Sequence, residues 1–332
     1  MSSVIIKNIL SQSDLTSLMD MELPVFAKEG YLKAKSSSFG WLVSDSFILP
    51  YIIVKKLIFK RLIFTSTPIR LLKASDEQEA LFLSEAINFL KENKLCDFIG
   101  KAQSNCVFKN VPEHISTVPW GSYLLDLTKS EDEIISGYHK KHRNVVKKAE
   151  KEGASVVFND SIDVVYNNIK ETLDRQNAPY FPSLDFLTNL KKDIPDNLLL
   201  ASVYQNEILQ GTAVILFDGE CGYYLYGGST PRPATGSVNY LQHRIMLHLK
   251  SLGLSKYDFV GARITVQPGS KFEGIQRFKS RFGCQLETGY AFNVIFSPIK
   301  FKLYNFTAKL YLRLKGIEYK DPIEELLKVP NK

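Results

Sequence analysis

Residues 270–283 place a lysine where a lysine is costly. Phe272, Ile275, Phe278 and Phe282 recur at helical spacing, and at about 100° per residue they line one side of a helix. Lys279 falls inside that stripe, about 20° from Phe272, whereas Arg277 and Arg281 point away. An ammonium group directed into an apolar face is paired, reaches water along its stem, or gives up its proton. It is also what acyl transfer needs. When a neutral amine attacks an ester or thioester carbonyl, a fixed cation can face the oxyanion of the tetrahedral intermediate. The plain alternative is a lysine whose stem packs while its head stays in solvent.

Other residues suggest ligand contacts. Arg175 stands near a helix end and is followed by Gln176-Asn177-Ala178-Pro179-Tyr180, so a guanidinium and a phenol can clamp a diphosphate; an ordinary surface arginine fits equally. Tyr223, Tyr224 and Tyr226 lie in a strand ending Gly227-Gly228, with Tyr224 and Tyr226 expected on one face and Tyr223 on the other. The glycines leave room for close approach by a ligand. The loop 232–237 opens a helix whose first amides can hold a pyrophosphate, although it is a poor copy of a coenzyme A loop. Lys140, Lys141, Arg143, Lys147 and Lys148 crowd the faces of a helix over 130–153, a density that suits phosphate neutralisation or a solvated basic surface. No Ser-His-Asp order, HExxH or GxxxxGK[ST] appears. Cys96, Cys106, Cys221 and Cys284 form no CxxC pair, so free thiols and no metal site are expected.

The elements that must carry these residues occur twice. Cys96-Asp97-Phe98-Ile99-Gly100 is echoed by Tyr257-Asp258-Phe259-Val260-Gly261. Each follows three β-rich runs (39–43, 48–54 and 57–66; 198–204, 208–217 and 222–228) and a helical run (76–94; 237–253). A repeat of that length suits a duplicated domain. The spacing further predicts helices over 15–28, 164–177 and 301–315, strands over 123–127, 155–158 and 290–296, and a basic hairpin turn at Lys55-Lys56.

With 332 residues and a net charge of +7, the chain has room for two domains and leans towards anionic partners. No signal peptide is read in the first 20 residues. The run 47–64 is interrupted by Lys55, Lys56, Lys60 and Arg61, so no membrane span is expected there.

Three motifs resemble the FemABX peptidyltransferases: Lys141-His142-Arg143-Asn144-Val145-Val146-Lys147-Lys148-Ala149 followed by Gly153, the second repeat 257–261, and Gly274-Ile275-x-x-Phe278-Lys279-x-x-Phe282-Gly283. The likeness spans roughly residues 121–296. It implies an α+β fold of two tandem acyl-CoA N-acyltransferase (GNAT-like) domains with mixed, mostly antiparallel sheets. The first domain would be 1–128 plus 300–332, completed by the C-terminal helix, and the second 129–299. By position Lys279 takes the transition-state role, Arg175 and Tyr180 the precursor phosphate, and Lys35 a second phosphate contact.

The family transfers amino acids from aminoacyl-tRNA to an amine of a bacterial peptidoglycan precursor, in the cytoplasm or at its membrane face. The helical hairpin inserted in several members is absent here, which leaves the donor open between aminoacyl-tRNA and acyl-CoA. No tightly bound cofactor is expected. The expected partner is a nucleotide- or lipid-linked cell-envelope precursor. The rival readings are an acyl-CoA-dependent N-acyltransferase on a linked amino sugar, and a non-catalytic RNA- or membrane-binding protein.

Overall fold

The computed structural model describes residues 4–7, 10, 22–71, 74–178, 182–318 and 322–327. Its contacts divide the chain into two compact units, Met1–Gly121 with Gly261–Gln267 and Thr288–Lys332, and Ser122–Val260 with Pro268–Glu287.

In the first unit, β1 (Ile5–Lys7) pairs with β2 (Phe39–Val43), after helix α1 (Glu29–Lys35). β2, β3 (Phe47–Lys56) and β4 (Phe59–Phe64) form an antiparallel meander. β5 (Ile69–Arg70) adds to β3. Helix α2 (Asp76–Glu92) starts with a reciprocal capping box between Ser75 and Gln78, and three acids in its first turn suit the helix dipole. Its apolar face, Phe82, Leu83, Ala86, Ile87 and Leu90, packs into one core with Leu42, Leu49, Leu62, Phe64 and Phe108. β6 (Phe98–Ile99) then runs parallel to β4.

β7 (Thr117–Asp126) begins in the first unit and ends in the second. The second unit continues with α3 (Glu131–Gly137), α4 (Lys140–Lys151), β8 (Ala154–Phe158), α5 (Ile162–Arg175) and α6 (Leu184–Asp193). The antiparallel strands β9 (Leu198–Gln205), β10 (Ile208–Phe217) and β11 (Cys221–Ser229) follow, then α7 (Ser237–Ser251) and β12 (Lys256–Asp258), which is parallel to β11. Three antiparallel strands, a helix and a short strand parallel to the third thus occur in each unit. The duplicated Asp-Phe-(Ile/Val)-Gly is the parallel strand of each and the chain's exit from it. The mixed, mostly antiparallel α+β fold is the one expected.

The chain then passes through β13 (Ala262–Arg263), α8 (Lys271–Ser280), β14 (Gln285–Phe292), β15 (Val294–Ile295), α9 (Pro298–Leu314) and α10 (Pro322–Leu327). β15 pairs with β6, and α9 lays Phe301 and Tyr304 on Phe98 within the first unit.

Several local expectations need correction. The β3–β4 turn is Leu57-Ile58; Lys55 and Lys56 are strand residues facing Lys60 and Phe59. The helix predicted over 130–153 is two helices, because Tyr138 leaves the helical conformation with ψ 142° and His139 caps α4. Tertiary packing overrides the periodicity here: the buried Tyr138 ring meets Phe282 and His243, and the His139 N–H donates to the Arg281 carbonyl. Of the helix predicted over 15–28, residues 15–21 lie outside the described residues and 25–27 form a single 3₁₀ turn. The short helix α6 was not anticipated.

Burial has a testable consequence in this core. His243 is 6% exposed and its Nδ1 lies 3.1 Å from Tyr138 Oη; burial, then the neighbouring Arg244, pushes it from 6.5 down to about 4. The unfolded chain therefore binds this proton first, so the stability tied to a neutral His243 is lost as pH falls from about 6.5 towards about 4. Asp258, raised by burial, works in the opposite direction. Comparing the melting temperature of His243→Gln with the parent across this window isolates the histidine. The variant loses less stability on acidification, and parallel curves would contradict the assignment.

Candidate functional site

The site is built where two parallel strands part. β11 and β12 are in register only from Cys221↔Lys256 to Tyr223↔Asp258. β11 then runs on to Ser229, while β12 stops and the chain turns away through Val260 at φ 37° and Gly261 at φ 74°. A left-handed valine is rare and strained. Its conformation is held by the Asp258 carboxylate, which accepts the Val260 N–H at 2.7 Å and the Ser122 hydroxyl on the same oxygen. In open sheets, ligands bind beyond the carboxyl ends of such diverging parallel strands.

Lys279 reaches into this turn. α8 is started by Ser270, whose hydroxyl accepts the Glu273 N–H, and Arg277 pairs with Glu273 along the outer face. Lys279 is only 8% exposed, and its Nζ donates to the Val260 carbonyl at 2.7 Å. Burial pushes this ammonium from 10.5 down to about 8, with Asp258 as the largest opposing influence. Burial likewise lifts Asp258 to about 6, against its hydrogen bonds and Lys279. At neutral pH the pair is a buried ammonium beside a carboxylate, each close to changing charge. Phe278 and Phe282 of the predicted stripe pack against Phe259, while Phe272 and Ile275 remain exposed. Gly283, at φ 74°, lies so close to the Gly137 carbonyl that a β-carbon would sit 2.7 Å from its oxygen.

Asp258→Asn removes the charge that raises Lys279. The variant's ammonium should deprotonate at lower pH than the parent's, which ¹⁵N-detected titration of the lysine side chain measures; an unchanged midpoint would separate the two groups.

The tyrosines are arranged differently from expectation. A bulge at Leu225 sets Val214 opposite Tyr226 but Ile215 opposite Tyr224, so the two point to opposite faces of the sheet. Tyr224 joins the core face, edge-on to Phe259 and near the Lys279 turn, and burial raises its hydroxyl to about 12. Tyr226 shares the other face with Tyr223 and meets Phe186 of α6. The glycines after them are filled by the protein itself: a β-carbon on Gly227 would lie 1.7 Å from Tyr224 Oη, and one on Gly228 2.5 Å from Asn168 Oδ1.

Arg175 is tied to the far end of β11. Its Nη2 donates to the Ser229 carbonyl at 2.5 Å and to Thr172 Oγ1 at 3.2 Å. Tyr180 lies outside the described residues. Lys35 ends α1 of the first unit, its Nζ 6.0 Å from the Tyr31 ring. The start of α7 is not an open anion site: Gly236 is pressed against the Val145 carbonyl of α4, and Ser237 is fully buried. On α4, Lys140, Lys141, Lys147 and Lys148 are exposed, Lys148 near Glu152 at 3.7 Å. Arg143 instead ties the α3–α4 junction, donating to the carbonyls of Ser136 and Tyr138 at 3.0 and 3.1 Å. Its guanidinium is thus committed to the fold.

Sequence reasoning overlooked Ser122 and the chemistry of Asp258. The available signal was a carboxylate between Tyr257 and Phe259 in an apolar run, which requires a buried partner.

These units define a two-unit, mixed α+β protein with a buried lysine where two parallel strands part. Residues 187–309 match the model of the FemAB family, bearing out the FemABX resemblance of the motifs. The fold matches the crystal structure of FemX at a TM-score of 0.66 and 13% identity, over 90% of this chain and 99% of that one. It also matches L-PGS from Bacillus licheniformis at 0.52 and 13%, over 87% and 92%. A protein of unknown function from Bacteroides thetaiotaomicron matches at 0.53 and 11%, over 88% and 99%. No curated protein sequence matches the chain.

Proposed function

We propose that this protein transfers an acyl or aminoacyl group to an amino group of a cell-envelope precursor, with Lys279 as the oxyanion donor. The observation that carries the reading is the buried Lys279 ammonium fixed on the Val260 carbonyl where β11 and β12 part. The attacking amine forms a C–N bond to the donor carbonyl carbon, and the displaced π electrons collect on oxygen. That oxyanion accepts a hydrogen bond from Lys279. Collapse breaks the C–O bond of an aminoacyl ester or the C–S bond of a thioester; the leaving group takes up a proton and the new amide sheds one. A positioned donor inside a buried site is worth far more than one in water. The FemAB-family segment and the FemX and L-PGS folds support a transferase of this kind. Under this reading Arg175 contacts a precursor phosphate, and the exposed lysines of α4 meet a tRNA donor in the cytoplasm.

Coenzyme A thioester is the alternative donor, because attack on its carbonyl leaves an oxyanion for Lys279 just as attack on an aminoacyl ester does. The deciding experiment offers charged tRNA and acyl-CoA side by side to the protein with a cell-envelope extract, followed by mass analysis. An amide product from either donor that disappears with Lys279→Ala supports the reading. No product from either, with RNA binding that ignores Lys279 and collapses with salt, would leave a non-catalytic binding protein.

A further inference from the structure

Helix α9 is apolar on two opposite sides. Phe301 and Leu312 are buried against the first unit. Ile299, Leu303, Phe306, Leu310 and Leu314 fall on the other side, within an arc of about 80° at 100° per residue. They are exposed, Ile299 at 81%, Phe306 at 63% and Leu314 at 80%. Soluble surfaces scatter such residues singly, whereas an aligned row marks an interaction site. Arg313, Lys302 and Lys309 border the row along one edge, and residues 298–317 contain no acid.

A second element adds to the row. Lys56 of the β3–β4 hairpin stands 5.0 Å from the Tyr311 ring, which brings the hairpin tip beside the last turns of α9. That tip is Leu57-Ile58, 87% and 63% exposed. Leu57 holds φ 54°, a turn conformation suited to Gly or Asn. The fold therefore carries an exposed leucine at a position that disfavours it on both conformational and solvation grounds.

We propose that the outer face of α9 and the hairpin tip dock on an anionic lipid bilayer, the helix lying in the plane of the surface. The apolar row enters the boundary between headgroups and acyl chains, and the bordering cations meet lipid phosphates. Among the described residues no helix is long and apolar enough to cross a membrane. A bilayer is favoured over a protein groove because the cationic edge complements an anionic plane, and because helix and hairpin present apolar tips from separate elements. The inference stands independently of the transferase reading.

The test is co-sedimentation of the full chain with phosphatidylcholine vesicles, with and without phosphatidylglycerol. The parent should pellet with the anionic vesicles only, in a manner weakened but not abolished by salt. Phe306→Glu with Leu310→Glu should lower the partition coefficient at least about tenfold. Leu57→Asn with Ile58→Ser should lower it several-fold while leaving the melting temperature unchanged or higher, which separates membrane contact from folding. Phe306→Trp should be quenched by brominated anionic lipid, a readout that holds even where the double glutamate variant misfolds. Equal pelleting of parent and tip variant, or an unquenched tryptophan, would overturn the proposal. A dimer that the glutamate variant splits, with no vesicle binding, would also overturn it by making the face a self-interface.

Discussion

Lys279→Met should lose transfer activity and gain stability. Removing a preorganised oxyanion donor costs about 10²–10³ in kcat, with KM little changed because the ground-state carbonyl asks less of the ammonium than the oxyanion does. Stability moves the other way. The folded lysine titrates near 8 against 10.5, so the unfolded chain binds more protons between these values. The parent's stability therefore rises with pH through that window, and below it the buried charge costs on the order of 3 kcal/mol. A methionine of similar shape escapes that cost. Denaturant unfolding of both proteins at pH 7 and pH 10.5 measures it: the variant should lead at the lower pH and the gap should close at the higher. Activity carries a matching signature. Transfer by the parent falls as pH rises through about 8, where Lys279 gives up its proton, and Lys279→Arg shifts that limb upward. If Lys279→Met kept full turnover, the oxyanion role would be lost; a stability gap that did not change between pH 7 and pH 10.5 would mean that the ammonium is not desolvated.

Gly236→Ala should be the most damaging single methyl group in the second unit. The residue precedes α7 at φ 85°, which costs an alanine about 1–2 kcal/mol. Its β-carbon would stand 2.2 Å from the Val145 carbonyl oxygen and 2.7 Å from the carbonyl carbon, both backbone atoms of α4. Relief requires separating α4 from α7, whose Val146, Ala149, Leu241 and Ile245 share one core. A total of at least about 4 kcal/mol follows, in the range reserved for backbone and overpacking defects. At about 2–4 °C per kcal/mol for a domain of this size, thermal unfolding should begin some 8–16 °C lower. Gly253→Ala, also at positive φ (90°) but with no atom within 4 Å of its β-carbon, should show the conformational part alone. Equal losses in the two variants would show that the approach of α4 contributes nothing.

The sequence by itself determined the periodic and repeated features. Strand and helix patterns repeat in order, so the duplicated plan, the return of Asp-Phe-(Ile/Val)-Gly after each helix and the inward Lys279 were legible from spacing. Such signals are local: a helix shows its stripe within four turns, and a lysine inside that stripe is anomalous wherever the helix packs. Tertiary structure decided what local pattern does not encode. Tyr138 breaks a well-formed helical period because burying its ring against Phe282 and His243 outweighs a continuous helix. The extra residue at Leu225 sends Tyr224 and Tyr226 to opposite faces, since alternation resets at a bulge. Asp97 and Asp258 occupy equivalent places in the repeat and do different work: one meets Lys300 at 2.7 Å, the other holds Val260 and Ser122 beside Lys279. Identical residues acquire different chemistry because desolvation and partner charges come from elements remote in sequence, and those are fixed only once the core has closed.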